Sequence, residues 1–586
     1  MSQVGTMTIE KPITSYESNS DLDSRRESAS KLVQFRIGLN NFYQNNTSAV
    51  IKLILLILLI GYSVYFGLAI RHSVSGAKPL IVITSIVVFF LIYYALKAVF
   101  GKKIYKSVLK PMEQAFRRNS TWIKYIVIPL VAIGIVFFLA FSVVKEVRQL
   151  QSLSGVVAFV LILYTFSMYP DKVNWRPVIW GFFLQFVMGV IVLRWRHGYN
   201  AVNWLSNQIT KFINYSNEGA AAVFGDPFLL FHPFVFVGMP MLIYVGAVMS
   251  ILYYYGLTQR AAGQVGWVMQ LTLGTTAVET LSVSANIFLN GMDTMLMLRP
   301  YLDRLTKSEF HCFLVGNHST VAGFAFAIFV LMGAPPQHLL SAAVMSAPAA
   351  IAISKLSYPE TEESTTKTQK DVQVEKSSET NVMEAAANGA GIAGKTVMAV
   401  VVNMLAFISM LGFINSTLAW LGNRVGIVQL SFQKICSYLL YPVSILMGIE
   451  PGDAKEVGSL LGFKVFTSEL LAYQELGDSI SANRLSRRSA AIATYALCGF
   501  SGLSNLAIAV GVWNAVCPSK TREMAKQMIR AVVNANVACF MTACVAGLLY
   551  NPDFSAPAQG DNAIGSLLNS ILGLIPSFKD LTSLLD

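Results

Sequence analysis

Long apolar runs alternate with short polar breaks along this chain, and the places where those runs are interrupted carry most of its information. Residues 1 to 48 are rich in Ser, Asp, Glu and Arg and read as a solvated tail. Residues 49 to 70 (AVIKLILLILLIGYSVYFGLAI) and 79 to 96 (PLIVITSIVVFFLIYYAL) follow as two apolar stretches, the first with one lysine and the second uncharged. Each is long enough to cross a hydrocarbon layer of about 30 Å as a helix. Further spans are expected at 125 to 144, 155 to 169 and 177 to 193. Between 101 and 124, Lys102, Lys103, Lys106, Lys110, Arg117, Arg118 and Lys124 stand against one acid, Glu113, which places that loop on the cytoplasmic side. Two crossings earlier, the N-terminal tail is then cytoplasmic as well. Residues 1 to 40 hold no apolar core with a small-residue cleavage site after it, so the first span itself directs insertion. Within 196 to 227, the run AVNWLSNQITKFINY is amphipathic and is expected to lie at the interface rather than to cross.

From about residue 229 onward the pattern changes. Gly, Pro, Asn and charged residues break the apolar stretches at membrane depth, as in 270 to 300 (QLTLGTTAVETLSVSANIFLNGMDTMLMLRP) and 459 to 476 (SLLGFKVFTSELLAYQEL). Interrupted backbone at that depth is tolerated only where protein or water surrounds it. Each is followed by another apolar stretch with its own break, at 313 to 333 (FLVGNHSTVAGFAFAIFVLMG) and 490 to 512 (AAIATYALCGFSGLSNLAIAVGV). A hairpin followed by a broken helix thus occurs twice, the pattern of a transporter built from repeated halves with its substrate at the midplane. The polar insert between the halves, 359 to 380 (PETEESTTKTQKDVQVEKSSET), reads as an exposed loop without chemistry of its own.

Composition agrees with a polytopic membrane protein: of 586 residues, 54% are hydrophobic and only 13% charged, against about a quarter in soluble chains. A soluble globular enzyme is therefore excluded. The net charge of +12 is read as cytoplasmic loops beside anionic lipid, not as a nucleic-acid surface, because no basic stripe is interleaved with stacking aromatics. Cys312, Cys436, Cys498, Cys517, Cys539 and Cys544 form no CxxC pair and read as small buried hydrophobes. His197, His232, His311, His318 and His338 lack metal-ligand spacing. No GxxxxGK[ST] loop is present, so ATP hydrolysis is not indicated and an ion gradient is the remaining route to active transport.

An ionisable group inside a membrane segment costs roughly 2.5 to 3.5 kcal/mol on insertion scales and is a functional candidate for that reason. Four stand out: Glu279, Asp293, Arg299 and Glu469. Asp293 and Glu469 sit inside interrupted segments. Glu279 and Arg299 stay open between a functional role and a supporting one, in which acids satisfy helix ends or pair with Arg299 or Lys464. Asn286 can offer an amide oxygen and Thr320 a hydroxyl oxygen to a hard cation, with carbonyls of unwound backbone beside them.

The run 270 to 302, with MSAPAAIAISKLSYPETEES at 345 to 364, LLGFKVFTSELLAYQEL at 460 to 476 and ALCGFSGLSN at 496 to 505, resembles the concentrative nucleoside transporter family over roughly residues 196 to 550. The resemblance implies an all-α polytopic membrane protein with two re-entrant hairpins and two discontinuous transmembrane helices. It also implies a plasma-membrane homotrimer that moves nucleosides inward with sodium, through an elevator-like motion of the hairpin domain against a trimerisation scaffold. No other cofactor and no nucleic-acid partner is implied. On this plan, 1–48 is the tail, 49–195 the N-terminal helices, 196–260 the interfacial and scaffold helices and 261–358 the first hairpin half. The remainder divides into 359–394 as polar loop, 395–452 as scaffold, 453–550 as the second hairpin half and 551–586 as a C-terminal tail.

Site residues carry over unevenly. The sodium ligands of the family match Asn286, the Leu289 carbonyl, Thr320 and the Val321 carbonyl. The family's base-recognising Gly-Gln-Thr-Glu, however, falls on Asn290, Gly291, Met292 and Asp293, displacing the amide and hydroxyl and shortening the carboxylate. Its second-hairpin Asn-Glu falls on Ser468 and Glu469, and its Phe-Ala-Asn-Phe-Ser-Ser on Phe500, Ser501, Gly502, Leu503, Ser504 and Asn505. Glu469 keeps the carboxylate for sugar hydroxyls and Phe500 an apolar face, Gly502 replaces an amide, and Ala325 on the first broken helix joins this substrate-binding set. Asn290 and Asn505 are candidate compensators. The reading is a sodium-coupled nucleoside importer with atypical base selectivity. Its rivals are a same-fold transporter of another polar metabolite, a variant coupled to protons through Asp293 or Glu469, and a non-transporting membrane sensor.

Overall fold

The computed structural model describes residues 56–74, 147–225, 234–289, 291–321, 323–366 and 379–552, with isolated positions between 36 and 92 and between 372 and 377. The basic loop at 101 to 124, the span expected at 125 to 144, most of the span at 79 to 96 and most of both tails lie outside the described residues. Among the described residues all regular structure is helical. The chain divides into units 1–132 and 133–586. The first contains α1 (Leu56–His72), the apolar helix expected at 49 to 70.

The α-helices of the second unit are, in chain order, α2 (Val147–Thr165), α3 (Trp175–Leu193), α4 (Arg196–Asn214), α5 (Ser216–Phe224), α6 (Met239–Tyr254) and α7 (Leu257–Leu273). The first half continues with α8 (Ala277–Ala285), α9 (Gly291–Met297), α10 (Arg299–Leu302), α11 (Lys307–Ser319), α12 (Gly323–Leu331) and α13 (Pro336–Ser357). The second follows with α14 (Val382–Arg424), α15 (Phe432–Leu439), α16 (Tyr441–Leu446), α17 (Ala454–Phe466), α18 (Glu469–Ser481), α19 (Arg487–Leu497), α20 (Leu503–Val516) and α21 (Thr521–Leu549). The amphipathic run expected at the interface is α4.

Helix lengths explain the architecture. At 1.5 Å per residue, the nine residues of α8 and seven of α9 reach only about 14 Å and 10 Å, so the pair must turn back before a span of about 30 Å is complete. Helices α17 and α18, thirteen residues each, form the second hairpin in the same way. Two sequence signals start the first-half helices. Thr276 with Glu279 and Thr306 with Glu309 are capping boxes at the heads of α8 and α11. The broken helices are α11/α12 and α19/α20, interrupted at 320 to 322 and 498 to 502.

Breaking a helix in an apolar interior frees backbone groups that must be paired again. Here α21 and the two breaks pair one another. Asn536 Nδ2 donates to the Ser501 carbonyl (2.9 Å) while Ser501 Oγ donates to Asn536 Oδ1 (2.9 Å). His318 Nδ1 lies 2.7 Å from the Phe500 carbonyl, which ties the first break to the second. The Cys539 thiol donates to the Cys498 carbonyl. Both α13 and the α21 span are 89% buried, so these two helices form the axis on which the halves pack.

The polar loop expected over 359–394 needs correction at both ends. Its start is exposed at Thr361, Glu362, Glu363 and Thr365, as expected, but is tied down by Ser364 and Thr366. The Thr366 carbonyl accepts from Ala277 N (3.1 Å), and Glu309 Oε1 accepts from Ser364 Oγ (2.5 Å) and Thr366 Oγ1 (3.1 Å). Its end is already helix, since α14 begins at Val382 with Asn381 capping Glu384 N at 2.9 Å. Residues 382 to 394 look polar because they are small, and smallness is what the contact with α6 requires. A Cβ on Gly389 would lie 2.8 Å from the Gly246 carbonyl oxygen. Helix α14 then runs to Arg424 as a 43-residue apolar helix, only 11% buried over its most apolar window.

Candidate functional site

The first hairpin tip meets α11 one turn before its break, in a buried corner where Asn286 and Asn317 touch. Asn286 closes α8 and is 3% exposed. Its amide Nδ2 donates to Asn317 Oδ1 at 2.7 Å, which fixes the orientation of the side chain and turns Oδ1 away from Asn317. That Oδ1 is buried and has no hydrogen-bond partner among the described residues. A buried amide oxygen left in that state costs about 1 to 3 kcal/mol unless a cation or donor meets it. Thr320 Oγ1, 1% exposed, spends its proton on the Gly316 carbonyl at 3.3 Å and keeps its lone pairs for another partner. Leu289 and Val321, each 2% exposed, sit in the adjoining irregular backbone. The arrangement supplies oxygens and no nitrogen or sulfur ligand, which suits a hard monovalent cation.

A second group surrounds the other hairpin. Asn505 Nδ2 donates to Glu469 Oε2 at 2.6 Å, so the residue read as a compensator contacts the carboxylate directly. Ser504 Oγ donates to the Thr467 carbonyl, holding the first turn of α20 to the hairpin tip. Glu469, Ser468, Phe500 and Asn505 line a cavity of about 620 Å³ whose opposite wall is Leu242 of α6 and Val400, Asn403 and Phe407 of α14. Ser468 Oγ is buried there with no hydrogen-bond partner among the described residues. Asp293 lines a neighbouring cavity of about 490 Å³ that shares Leu242 and is walled by Gly246 and Ser250 of α6 and Thr396 of α14. The two carboxylates read as substrate contacts therefore open onto adjoining spaces along one face of α14.

Other expected site residues fall elsewhere. A Cβ on Gly502 would lie 2.5 Å from the Lys464 carbonyl oxygen, so this glycine lets α20 approach the hairpin backbone, and it lines neither cavity. Gly291 starts α9 close to Asn317. Asn290 and the side chains of Met292 and Ala325 lie outside the described residues. Arg299 is exposed at the head of α10, with no ion pair among the described residues, because the chain has left the hairpin by that point. Glu279 pairs with neither Arg299 nor Lys464. Its partner is Lys355 of α13, with both side chains buried, and Lys355 Nζ also donates to Ser308 Oγ at 2.9 Å. Glu279 thus keeps the supporting role.

Chain-wide comparison agrees with this geometry. Residues 154–227 match the model for the Na+ dependent nucleoside transporter N-terminus, 235–336 the nucleoside recognition (gate) model, and 338–547 the Na+ dependent nucleoside transporter C-terminus. Solute carrier family 28 member 3 of Eptatretus stoutii is 38% identical over 541 residues, covering 89% of this chain and 78% of that protein. Sodium/nucleoside cotransporter 2 of Rattus norvegicus is 39% identical over 525 residues, covering 87% and 79%. The chain belongs to the sodium-dependent, concentrative nucleoside transporter family. A solved structure of CNTnw in an inward-facing substrate-bound state is 32% identical, with a TM-score of 0.64 over 69% of this chain and 98% of that one. The all-α transporter fold and the absence of an enzymatic role follow from that membership.

Three residues in contact with these groups were not read from the sequence. Asn317 orients Asn286 from 31 positions away. Lys355 neutralises Glu279. Asn403 places a polar side chain on the α14 wall opposite Glu469, with its Nδ2 donating to the Ala399 carbonyl at 2.7 Å. A lone amide inside an apolar run was the available signal for Asn403.

Proposed function

We propose that this chain is a plasma-membrane symporter that carries nucleosides inward with sodium, with a base preference altered by its first hairpin tip. The observation that carries the ion half is Asn286 Oδ1, buried without a partner beside Thr320 and the irregular backbone at Leu289 and Val321. Sodium held by those oxygens would pull the first hairpin against the first helix break. Substrate would then meet a hairpin already ordered, so the ion favours the loaded state and the two solutes move together. Glu469, oriented by Asn505, accepts from sugar hydroxyls, and Asp293 contributes from the adjoining cavity. Phe500, 6.2 Å from the Phe329 ring by centroids, presents an apolar face.

Both cavities lie between the hairpin half and the α6 and α14 walls, which favours transport by relative motion of those two parts. The exposed apolar length of α14 fits a role as scaffold in a homotrimer, and the basic residues between 101 and 124 support a cytoplasmic N-terminal tail. A shorter carboxylate at Asp293 and glycine and methionine before it remove an amide and a hydroxyl from the base side, each worth about 1 to 3 kcal/mol when a buried partner depends on it. The test is uptake of labelled uridine, thymidine, adenosine and guanosine into cells lacking nucleoside transport, in sodium and in choline at two pH values. Sodium-dependent accumulation of at least one, lost in Glu469→Gln, is expected. Good surface expression with no uptake of any nucleoside overturns the substrate assignment, and uptake driven equally well in choline overturns the ion assignment.

A further inference from the structure

The two halves repeat the same parts, yet the side-chain oxygens of Asn286 and Thr320 in the first have no counterpart in the second. Asn286 stands seven residues ahead of Asp293, and the residue seven ahead of Glu469 is Gly462. Thr320 follows the last residue of α11, and Cys498 follows the last residue of α19. Neither a glycine nor a thiol offers an oxygen to a hard cation. The carbonyls at the end of α19 nevertheless carry the negative end of a half-helix within the protein interior.

Lys464 meets that end. It lies on α17 two residues past Gly462, is 0% exposed, and donates from Nζ to the Ala496 carbonyl at 2.9 Å. Ala496 is the next-to-last residue of α19, as His318 is of α11. No carboxylate lies within 4 Å of Lys464 among the described residues; the Glu469 carboxylate and the Cys539 thiol also feel its charge, but its direct partner is the Ala496 carbonyl at the helix end. A buried lysine in that setting would be costly if it served only to fill space. Its ammonium carries one positive charge to the place that a monovalent cation would otherwise take.

We propose that Lys464 is a tethered cation, a positioning residue that does for the second helix break what transported sodium does for the first. The first hairpin is closed by an ion that comes and goes, and the second by a charge that never leaves, so the second break takes up no sodium of its own. This rests on the assignment of sodium to Asn286 and Thr320. Asn286→Ala in an otherwise native chain tests that assignment separately through the half-saturating sodium concentration.

The experiment measures uptake per surface molecule against sodium concentration for Lys464→Gln, Lys464→Ala and Lys464→Arg. Gln keeps a donor for the Ala496 carbonyl and removes the charge, and uptake about tenfold or more below native at native sodium is expected, the scale of a lost charged hydrogen bond. Ala removes charge and bulk together. It is expected to need more sodium and to show a Hill coefficient raised toward one additional ion, as sodium enters the second break. Arg keeps a cation and is expected to retain the native Hill coefficient. Native uptake and native sodium dependence in Lys464→Gln would overturn the proposal, as would activity in Lys464→Ala with an unchanged Hill coefficient. Should neither neutral variant reach the surface, Lys464→Arg decides: it must reach the surface and activate with the native Hill coefficient, and its failure to do so would overturn the proposal.

Discussion

Asn317 gives a sharp test of how the ion corner is built. Its Oδ1 accepts from Asn286 Nδ2 at 2.7 Å, and nothing else fixes which end of the Asn286 amide faces Thr320. In Asn317→Ala the amide nitrogen loses its acceptor, and the side chain can turn to point –NH2 where the cation must sit. The loss of one neutral hydrogen bond is about 0.5 to 1.5 kcal/mol, and leaving a buried donor unpaired raises this to about 1 to 3 kcal/mol. At 1.4 kcal/mol per decade, the half-saturating sodium concentration should rise by roughly 5- to 100-fold. Asn317 lines neither cavity, so nucleoside KM at saturating sodium should stay within about twofold of native. The assay is uptake per surface molecule against sodium concentration, followed by a nucleoside titration at saturating sodium. An unchanged half-saturating sodium concentration in a well-expressed Asn317→Ala would refute the reasoning, because the Asn286 oxygen would then need no orientation.

Removing Asn505 should act on the other solute. In Asn505→Ala, Glu469 loses a charge-assisted partner worth about 1.5 to 3 kcal/mol, so nucleoside KM should rise roughly 10- to 100-fold while half-saturating sodium barely moves. A sodium effect as large as the nucleoside effect would contradict the separation of the two sites. Lys355→Met should destabilise the protein by about 3 to 5 kcal/mol, because Glu279 would be left as an uncompensated buried charge. Thermal unfolding of the purified protein should show a large loss in the single variant and substantial recovery when Glu279→Gln is added. No recovery in the double variant would mean that Lys355 stabilises through Ser308 and Glu360 instead.

The fold was legible because its peculiarity is written in composition at fixed places. Gly, Asn and acids interrupting apolar runs marked both hairpins and both broken helices, while the capping boxes at the heads of α8 and α11 were not read from the sequence. Asn286, Thr320 and Glu469 were singled out for the same reason, since each lies beside an interruption in its own segment. The 359–394 segment misled because residue type was read without neighbours: Thr366 looks solvated until Glu309 and Ala277 are brought to it, and Gly389 looks like loop until α6 is placed against it.

What stayed hidden was pairing across the chain. Arg299 and Lys464 were the cations nearest the acids in the motifs, yet Lys355 pairs with Glu279 from a different helix. The physical reason extends beyond these pairs. A helix broken inside an apolar interior exposes carbonyls and amides that its own segment cannot satisfy, so the groups that satisfy them must come from somewhere else in the chain. In this protein they come largely from α21, where Asn536 and Cys539 reach the second break. The opposite side of that helix is wired to α11, where Asn534 Nδ2 lies 2.9 Å from His311 Nε2. A polar residue in an otherwise apolar helix far from any motif is therefore the place to look for the partner of a break. By that argument Asn536 should be as sensitive to substitution as the hairpin residues themselves. Asn536→Leu should lose folded, surface-expressed protein, whereas truncating an exposed apolar side chain of α2, as in Leu161→Ala, should not.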